Sequence, residues 1–245
     1  MRITGIIPSR YDSTRFPGKP LADIAGIKMI QRVYEQASKS KLLNDVYAAT
    51  DDDRIFEFVK SFGGKVIMTS PDHRTGTDRL CEAVGKIKTD IVVNIQGDEP
   101  FISPKVIDDA VTPLLNDRKL NVSTLACRFK ELTDVYDPNK VKVVLDNENN
   151  ALYFSRAVVP MNFKSLKSTV YFKHLGLYVY RKDFLLKFSR TEQTMTEKAE
   201  SLEQLRILAI GEKIRVIITN KDSLSVDTEE DINRILKHIK SRKHK

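Results

Sequence analysis

"DIVVNIQGDEP" (residues 90–100) decides the fold of this 245-residue chain. Its first half is a continuous apolar run, which is typical of a strand buried on both faces of a parallel sheet. Its second half places Gln96, Gly97, Asp98 and Glu99 directly beyond that strand. Because ligands bind at the carboxyl ends of parallel strands, this polar half indicates a functional site.

Strand and helix patterns alternate on both sides of this stretch. Strand-like runs occupy residues 2–8, 45–50 and 65–69, and a helical pattern follows each of them. In the first helix, apolar residues such as Ile30 and Val33 recur at the spacing of one helical face. The order predicts an α/β fold with a mostly parallel central sheet that helices cover.

The pattern changes after about residue 120, where several strand-like runs follow one another. They lie at residues 121–129, 140–146, 151–157 and 174–181, with a strong turn signal, "DNENN", at 146–150. We expect them to form an antiparallel edge or subdomain. Helical patterns return at 182–189 and 197–210, a strand at 213–219, and a last helix whose start at Thr228 resembles a capping box with Asp231. We predict one domain over residues 1–245, with about 120–180 forming an inserted subdomain.

Composition bounds the class of protein. Apolar residues make up 41% and charged residues 30% of the chain, which favours a folded core over disorder. No apolar run approaches the roughly 18 residues of a membrane span, and the N-terminus is too short for a signal peptide. Cys81 and Cys127 lie in apolar periodic segments, so we expect buried thiols in a cytoplasmic protein.

The net charge of +8 raises the possibility of a nucleic-acid partner. Five lysines and arginines, however, lie in the last nine residues, and setting them aside leaves +3. No basic stripe interleaved with aromatic residues is present in the sequence. A solvated helix end, where cations are favoured, is therefore preferred over a nucleic-acid surface.

The loop "IIPSRYDSTRFPGKPL" (residues 6–21) follows the first strand and carries Arg10, Arg15 and Lys19. It is not a Walker A loop, because Ser13 stands where the first glycine should be, and it is not G-x-G-x-x-G. Cationic side chains would therefore carry the binding of a polyphosphate. The alternative is a solvated basic loop, but its position at a strand end favours the anion site.

Two carboxylates are candidate metal ligands. Asp98 follows the buried strand, and Asp227 precedes the last helix in "LSVDTEED". Mg²⁺ prefers one or two carboxylates together with phosphate oxygens. The structural alternatives are an ordinary turn at Asp98 and an acid that stabilises the helix N-terminus at Asp227.

The motifs together resemble one family. They are "IIPSRYDSTRFPGKPLADIAG", "ATDDDRI", "GTDRL", "VVNIQGDEP", "VKVVLD", "ALYFSRAVVP", "KHLGLYVYR", "LEQLRIL" and "VDTEED". In this order, over about residues 3–236, the chain resembles the 3-deoxy-manno-octulosonate (Kdo) cytidylyltransferases, also called CMP-Kdo synthetases. The resemblance implies a Rossmann-like nucleotidyltransferase fold and a reaction of CTP with Kdo that yields CMP-Kdo and pyrophosphate, with Mg²⁺, for lipopolysaccharide synthesis. It also implies a homodimer and a role of residues 120–180 in sugar binding or dimerisation.

The resemblance also implies roles for individual residues. Lys19 and Arg10, with Arg15, face the triphosphate, and Asp98 and Asp227 bind Mg²⁺ and act in catalysis. "RTGTDR" (residues 74–79) reads the cytosine, with Arg74, Thr75, Gly76 and Arg79 as its contacts. The sugar pocket is lined by Gln96, Arg156, His174, Tyr178, Glu203 and Gln204. Structural alternatives stay open for four of these: a surface cation at Arg156, a core histidine at His174, and a polar helix face at Glu203 and Gln204.

Three other functions compete with this one. A cytidylyltransferase for 8-amino-Kdo resembles the same motifs, but that branch has a "GDQP"-like motif, so Glu99 favours ordinary Kdo. A nucleotide-binding regulator without catalysis would not need both Asp98 and Asp227. A nucleic-acid-binding protein would show strongly salt-dependent binding.

Overall fold

The computed structural model describes residues 1–12, 16–73, 75–165, 168–222, 225–226 and 228–243, with side chains described as far as residue 236. The chain divides into two compact units. The first comprises Met1–Asp108 and Ser223–Lys245, and the second comprises Asp109–Asp222. Among the residues that the structure describes, no helix has both the length and the apolar character needed to cross a membrane.

The strands, in chain order, are β1 (Ile3–Ser9), β2 (Asp23–Ile24), β3 (Ile27–Lys28), β4 (Asp45–Thr50), β5 (Lys65–Met68), β6 (Ile91–Asn94), β7 (Val122–Arg128), β8 (Lys142–Leu145), β9 (Ala151–Ser155), β10 (Phe172–Arg181) and β11 (Ile214–Ile218). The helices are α1 (Met29–Ala37), α2 (Asp53–Ser61), α3 (Gly76–Gly85), α4 (Pro104–Asn116), α5 (Lys182–Phe188), α6 (Met195–Glu200), α7 (Gln204–Ala209) and α8 (Glu229–Lys243). Short 3-10 helices span Lys19–Leu21 and Leu132–Tyr136.

The first unit contains four parallel strands in the order β6-β1-β4-β5. Every residue of β6 is buried, as its apolar sequence predicts. In α1 the buried residues are Met29, Ile30, Val33 and Ala37, which confirms the predicted helical face. The two-residue strands β2 and β3 form a small antiparallel hairpin that the sequence patterns did not indicate.

The second unit is built around β7 and β10. These two strands pair antiparallel, β10 also pairs with β8, and β8 pairs with β9. β11 lies on the other side of β7 and runs parallel to it. The predicted mostly parallel sheet with an antiparallel part is confirmed. The predicted subdomain at about 120–180 lies within the second unit, and its role in sugar binding and dimerisation stays a prediction.

The "DNENN" turn forms as predicted. The Asp146 carboxylate accepts hydrogen bonds from the backbone N–H groups of Glu148 and Asn150 at 2.8 and 2.7 Å, and Asn149 adopts a left-handed φ of 60°. The helix predicted over residues 197–210 is, in contrast, two helices. Ser201 has a left-handed φ of 51° and ends α6, after which α7 begins at Gln204.

Candidate active site

An ion pair in the first unit joins two of the predicted catalytic residues. Lys19 Nζ donates to Asp98 Oδ2 at 3.0 Å and to the backbone carbonyl of Val226 at 3.0 Å. The Asp98 carbonyl in turn accepts a hydrogen bond from Val226 N at 2.9 Å. Both charged side chains are largely shielded, with 18% of Lys19 and 25% of Asp98 exposed. The cation, one carboxylate and the residue before Asp227 therefore lie together.

The loop after β1 folds back on itself to place Lys19. Gly18 has a φ of 69°, and its N–H donates to the Tyr11 carbonyl at 2.8 Å. A Cβ at Gly18 would lie 3.2 Å from the Tyr11 ring, so a side chain there would be both crowded and strained. Lys19 then begins a 3-10 helix that contains Pro20. Arg10 directly follows β1 and is half-buried, whereas Arg15 lies outside the described residues.

A contact that sequence reasoning missed supports this loop from the side. The Arg54 guanidinium lies over the Tyr11 ring at 3.2 Å from its centroid, and it also pairs with Asp52 at 2.6 Å. Arg54 is an exposed position near the start of α2, and nothing in its local sequence indicates an aromatic partner more than forty residues earlier.

The segment after β6 approaches β1 closely. A Cβ at Gly97 would lie 3.1 Å from the Pro8 carbonyl, so a side chain there would push this segment away. Asn94, the last residue of β6, is buried, and within the described part of the chain its Oδ1 has no hydrogen-bond partner. Gln96, two residues beyond Asn94, is half-buried.

The predicted base-reading segment opens α3. Thr75 is the N-cap, and its side chain and that of Asp78 form a reciprocal capping box. Gly76 is exposed, and a Cβ there would meet nothing within 4 Å. Thr75 and Gly76 therefore border open space at a helix N-terminus, where backbone N–H groups face outward. Arg74 lies outside the described residues.

Arg79, the remaining residue of that segment, points inward. Its side chain is fully buried, Nη2 donates to Asp51 at 2.5 Å, and Nη1 donates to the Thr69 hydroxyl. These contacts tie α3 to the chain after β4 and β5. A direct role of Arg79 in reading cytosine stays a prediction, and the described contacts are structural ones.

Two of the predicted sugar-pocket residues, His174 and Tyr178, pack together in the second unit. The His174 ring packs against Phe154 and Tyr178, with centroid distances of 5.0 and 5.3 Å. His174 Nε2 lies 3.1 Å from the Thr124 hydroxyl. Burial lowers the pKa of His174 to about 3, so the ring is neutral at physiological pH. Burial, together with the nearby charge of Glu203, raises the pKa of Tyr178.

The two residues from "LEQLR" are placed differently. Glu203 is the N-cap of α7, and its Oε1 accepts a hydrogen bond from Arg206 at 2.8 Å. About a third of the Glu203 side chain is exposed, which leaves room for a further partner. Gln204 begins α7 and is buried. Its burial argues against the solvated helix face, and a role of Gln204 in a sugar pocket stays a prediction.

Arg156 is held by backbone groups. Its Nε donates to the Glu200 carbonyl at 2.7 Å and its Nη1 donates to the Pro138 carbonyl at 2.9 Å. Glu200 also accepts hydrogen bonds from Arg156 N and from the Ser155 hydroxyl, at 2.9 and 2.7 Å. The guanidinium therefore braces the segment after β9. Binding of a sugar carboxylate by Arg156 stays a prediction, and it requires donors beyond those two.

The donor chemistry at Asp98 fits a hard divalent cation. The carboxylate follows a buried strand, keeps 25% of its side chain exposed, and lies beside the residue before Asp227. Two carboxylates are a set that Mg²⁺ accepts. Across the described residues no cluster of three or more His, Cys, Asp or Glu could hold a metal, and Asp227 itself falls outside them.

Parallel strands that carry a partly shielded lysine–carboxylate pair beyond their carboxyl ends can hold an anionic, phosphate-bearing ligand. The family model described as cytidylyltransferase matches residues 4–214. The 3-deoxy-manno-octulosonate cytidylyltransferase of Geobacter metallireducens is 50% identical, with 98% of each chain covered. That of Geobacter sulfurreducens is 49% identical, over 98% of this chain and 100% of the relative.

One solved structure has nearly the same fold as this chain. It is described as CMP:2-keto-3-deoxy-manno-octonic acid synthetase complexed with CTP, and the TM-score is 0.95 at 40% identity, over 99% of this chain and 100% of that one. The chain therefore belongs to the 3-deoxy-manno-octulosonate cytidylyltransferase (CMP-Kdo synthetase) family. The predicted nucleotidyltransferase fold and the predicted family are both confirmed.

Proposed function

We propose that this protein transfers CMP from CTP to Kdo and releases pyrophosphate, so that CMP-Kdo becomes available for lipopolysaccharide synthesis. The observation that carries the proposal is the full-length likeness to relatives of that name, at 50% identity with 98% of both chains covered. The nearby side chains of Lys19 and Asp98 add chemical support, because a lysine for phosphate groups and a carboxylate for a metal ion are groups that phosphoryl transfer commonly uses.

In the reaction, the anomeric hydroxyl of Kdo attacks the α-phosphate of CTP in line, and pyrophosphate leaves. Little covalent work falls to the protein, so positioning and charge neutralisation supply the catalysis. Hydrogen bonds to Asp98 and to the Val226 carbonyl hold the Lys19 ammonium in one place at the end of the loop after β1. Arg10 and Arg15 provide further positive charge along the same loop.

Asp98 and Asp227 are the residues that would hold Mg²⁺. A bound Mg²⁺ supplies positive charge for the phosphate oxygens and activates the attacking hydroxyl. The two carboxylates would fix where that charge lies. Asp98 is restrained by the Lys19 ammonium, so the carboxylate keeps one orientation relative to the loop.

We assign recognition of cytosine to Arg74, Thr75, Gly76 and Arg79. The exposed backbone at Gly76 and the fixed N-cap at Thr75 support this assignment. We assign the sugar pocket to Gln96, Arg156, His174, Tyr178, Glu203 and Gln204. A neutral His174 beside Tyr178 would serve as a hydrogen-bonding surface for sugar hydroxyls and not as a base.

We also propose a cytoplasmic homodimer in which the second unit carries the subunit contact. Five large apolar residues in the described part of this unit are at least 69% exposed: Leu132, Tyr136, Met161, Phe163 and Met195, at 69%, 75%, 78%, 82% and 83%. Apolar exposure of this extent is typical of surfaces that a partner covers. Light scattering after size-exclusion chromatography, on the protein and on a Phe163→Ser variant, would test this proposal.

The function itself is tested by pyrophosphate release. Purified protein is incubated with CTP, with and without Kdo, in buffers with Mg²⁺ and with excess chelator. We expect release only when CTP, Kdo and Mg²⁺ are all present. If pyrophosphate is released equally without Kdo, the protein is a nucleotide hydrolase. If 8-amino-Kdo is turned over and Kdo is not, the alternative sugar is the substrate.

A further inference from the structure

A second cluster of charged side chains lies at the turn between β5 and α3, away from Lys19 and Asp98 in the sequence. Its centre is Glu82, on the second turn of α3. Glu82 Oε2 accepts a hydrogen bond from Ser70 N at 2.8 Å and lies 2.5 Å from His73 Nε2. Glu82 Oε1 accepts from Lys86 Nζ at 2.6 Å. One carboxylate thus holds both the turn at residues 70–73 and its own helix.

The side chains of this cluster are largely shielded from solvent, so their hydrogen bonds can hold the turn at residues 70–73 in one position. The exposed fractions of the Glu82 and His73 side chains are 26% and 20%. Burial alone would raise the pKa of Glu82, but the hydrogen bonds from Lys86, Ser70 N and His73 outweigh it and lower the pKa to about 2. The carboxylate therefore stays charged at neutral pH, and each of its hydrogen bonds is charge-assisted.

The helix does not need this cluster to begin. The capping box of Thr75 and Asp78 already satisfies the N–H groups of those two residues. The buried Arg79 already fixes how α3 packs, through Asp51 and Thr69. What Glu82 adds is a restraint on residues 70–73, which precede Thr75 and Gly76 in the chain with one residue, Arg74, between. Lys86 strengthens that restraint, since its Nζ also donates to the Met68 carbonyl at 2.7 Å.

We propose that Glu82 and His73 are positioning residues for recognition of the nucleotide base. They hold the turn at residues 70–73 so that the backbone at Thr75 and Gly76 meets the cytosine at a fixed distance. The inference rests on the proposed function, because it takes that segment as the base-binding one. Neither side chain touches the nucleotide, and the effect is confined to the CTP end of the reaction.

The test compares three variants with a matched control. Glu82→Gln keeps the shape of the side chain but replaces one carboxylate oxygen by an amide nitrogen, which cannot accept a hydrogen bond. Either Ser70 N and His73 or Lys86 therefore loses its acceptor. His73→Ala removes the ring, and His73→Gln keeps a donor near the place of Nε2. Glu57→Gln, an exposed acid on α2, controls for the loss of a surface charge.

Steady-state rates are measured with CTP and Kdo varied separately and with UTP in place of CTP, and CTP binding is measured by calorimetry without Kdo. For Glu82→Gln and His73→Ala we expect the CTP KM and Kd to rise about tenfold, the size of one charge-assisted hydrogen bond. The preference for CTP over UTP should fall, while the Kdo KM and kcat stay within about twofold. His73→Gln should recover most of the CTP affinity, and Glu57→Gln should behave as the parent protein.

Melting temperature and circular dichroism separate positioning from folding. If Glu82→Gln melts earlier and its CTP KM and base preference are unchanged, Glu82 is only a structural residue and the proposal fails. It also fails if the Kdo and CTP KM values rise together. If Glu82→Gln does not fold, the proposal is tested by comparing the CTP affinities of His73→Ala and His73→Gln. Equal affinities of these two variants would overturn it. Parent protein that turns over no CTP with Kdo refutes the proposed function itself.

Discussion

Replacing Lys19 by alanine separates two roles of the loop after β1. The substitution removes the hydrogen bonds from Nζ to Asp98 and to the Val226 carbonyl, each 3.0 Å long. Hydrogen bonds that involve a charged group contribute about 1.5–3 kcal/mol. Because 25% of the Asp98 side chain is exposed, water can replace part of the lost partner. We therefore expect the unfolding free energy to fall by about 1.5–2 kcal/mol, the lower end of the range for a single such bond, although two bonds are lost.

The loss in turnover should exceed the loss in stability. A preorganised ammonium stabilises charge that grows as pyrophosphate leaves, and its removal typically costs on the order of 10²-fold in kcat. Since this charge develops in the transition state, kcat should fall by more than the CTP KM rises.

The assay is pyrophosphate release with CTP and Kdo varied separately, alongside urea unfolding. Lys28→Ala is the matched control, because Lys28 is 40% exposed and its ammonium lies 4.0 Å from Asp23, where an ion pair contributes little. Full kcat with only a raised CTP KM in Lys19→Ala would refute the reasoning and reduce the loop to a docking site.

Three further predictions test the rest of the account. Asp98→Asn and Asp227→Asn should each abolish most turnover while circular dichroism stays unchanged, and near-normal rates of either variant in limiting Mg²⁺ would exclude that residue as a ligand. Arg156→Ala should raise the Kdo KM and leave the CTP KM nearly unchanged, and it should also lower the unfolding free energy, because the Glu200 and Pro138 carbonyls lose their donor; a rise in both KM values would contradict the assignment of Arg156 to the sugar. His174 is held neutral, with a pKa of about 3 against about 6.5 when unfolded, so the unfolded chain binds the extra proton between those values and stability should fall as pH drops from 6.5 towards 3. His174→Asn should flatten that dependence, which urea unfolding at pH 7 and pH 5 would measure, and an unchanged slope would show that His174 does not cause it.

Elements with a clean local pattern could be predicted from the sequence. The run at 45–50 became β4, and the acids before α2 and the turn residues at 146–150 act as their types imply. The inference that Lys19 and Asp98 lie close, because each follows a strand of the same parallel sheet, holds although the two residues are 79 positions apart. It rested only on the direction of parallel strands, which is why it survived without knowledge of the side chains.

Features that depend on distant partners could not be predicted. The apolar spacing across residues 197–210 is continuous, and no residue type there announces the left-handed Ser201 that splits the helix. Asp51 stands at a strand end as a ligand would, yet its partner is the buried Arg79. The carbonyl partners of Arg156 are likewise invisible in sequence, because any residue can supply a carbonyl.

The proposed reaction joins CMP to the anomeric oxygen of Kdo. The most direct measurement is ³¹P NMR of the reaction of CTP with Kdo and Mg²⁺, followed by mass spectrometry of the product. The account predicts a sugar phosphodiester with the mass of CMP-Kdo and an equal amount of pyrophosphate, with UTP left largely unreacted. Free CMP without a sugar adduct, or equal products from UTP and CTP, would contradict it.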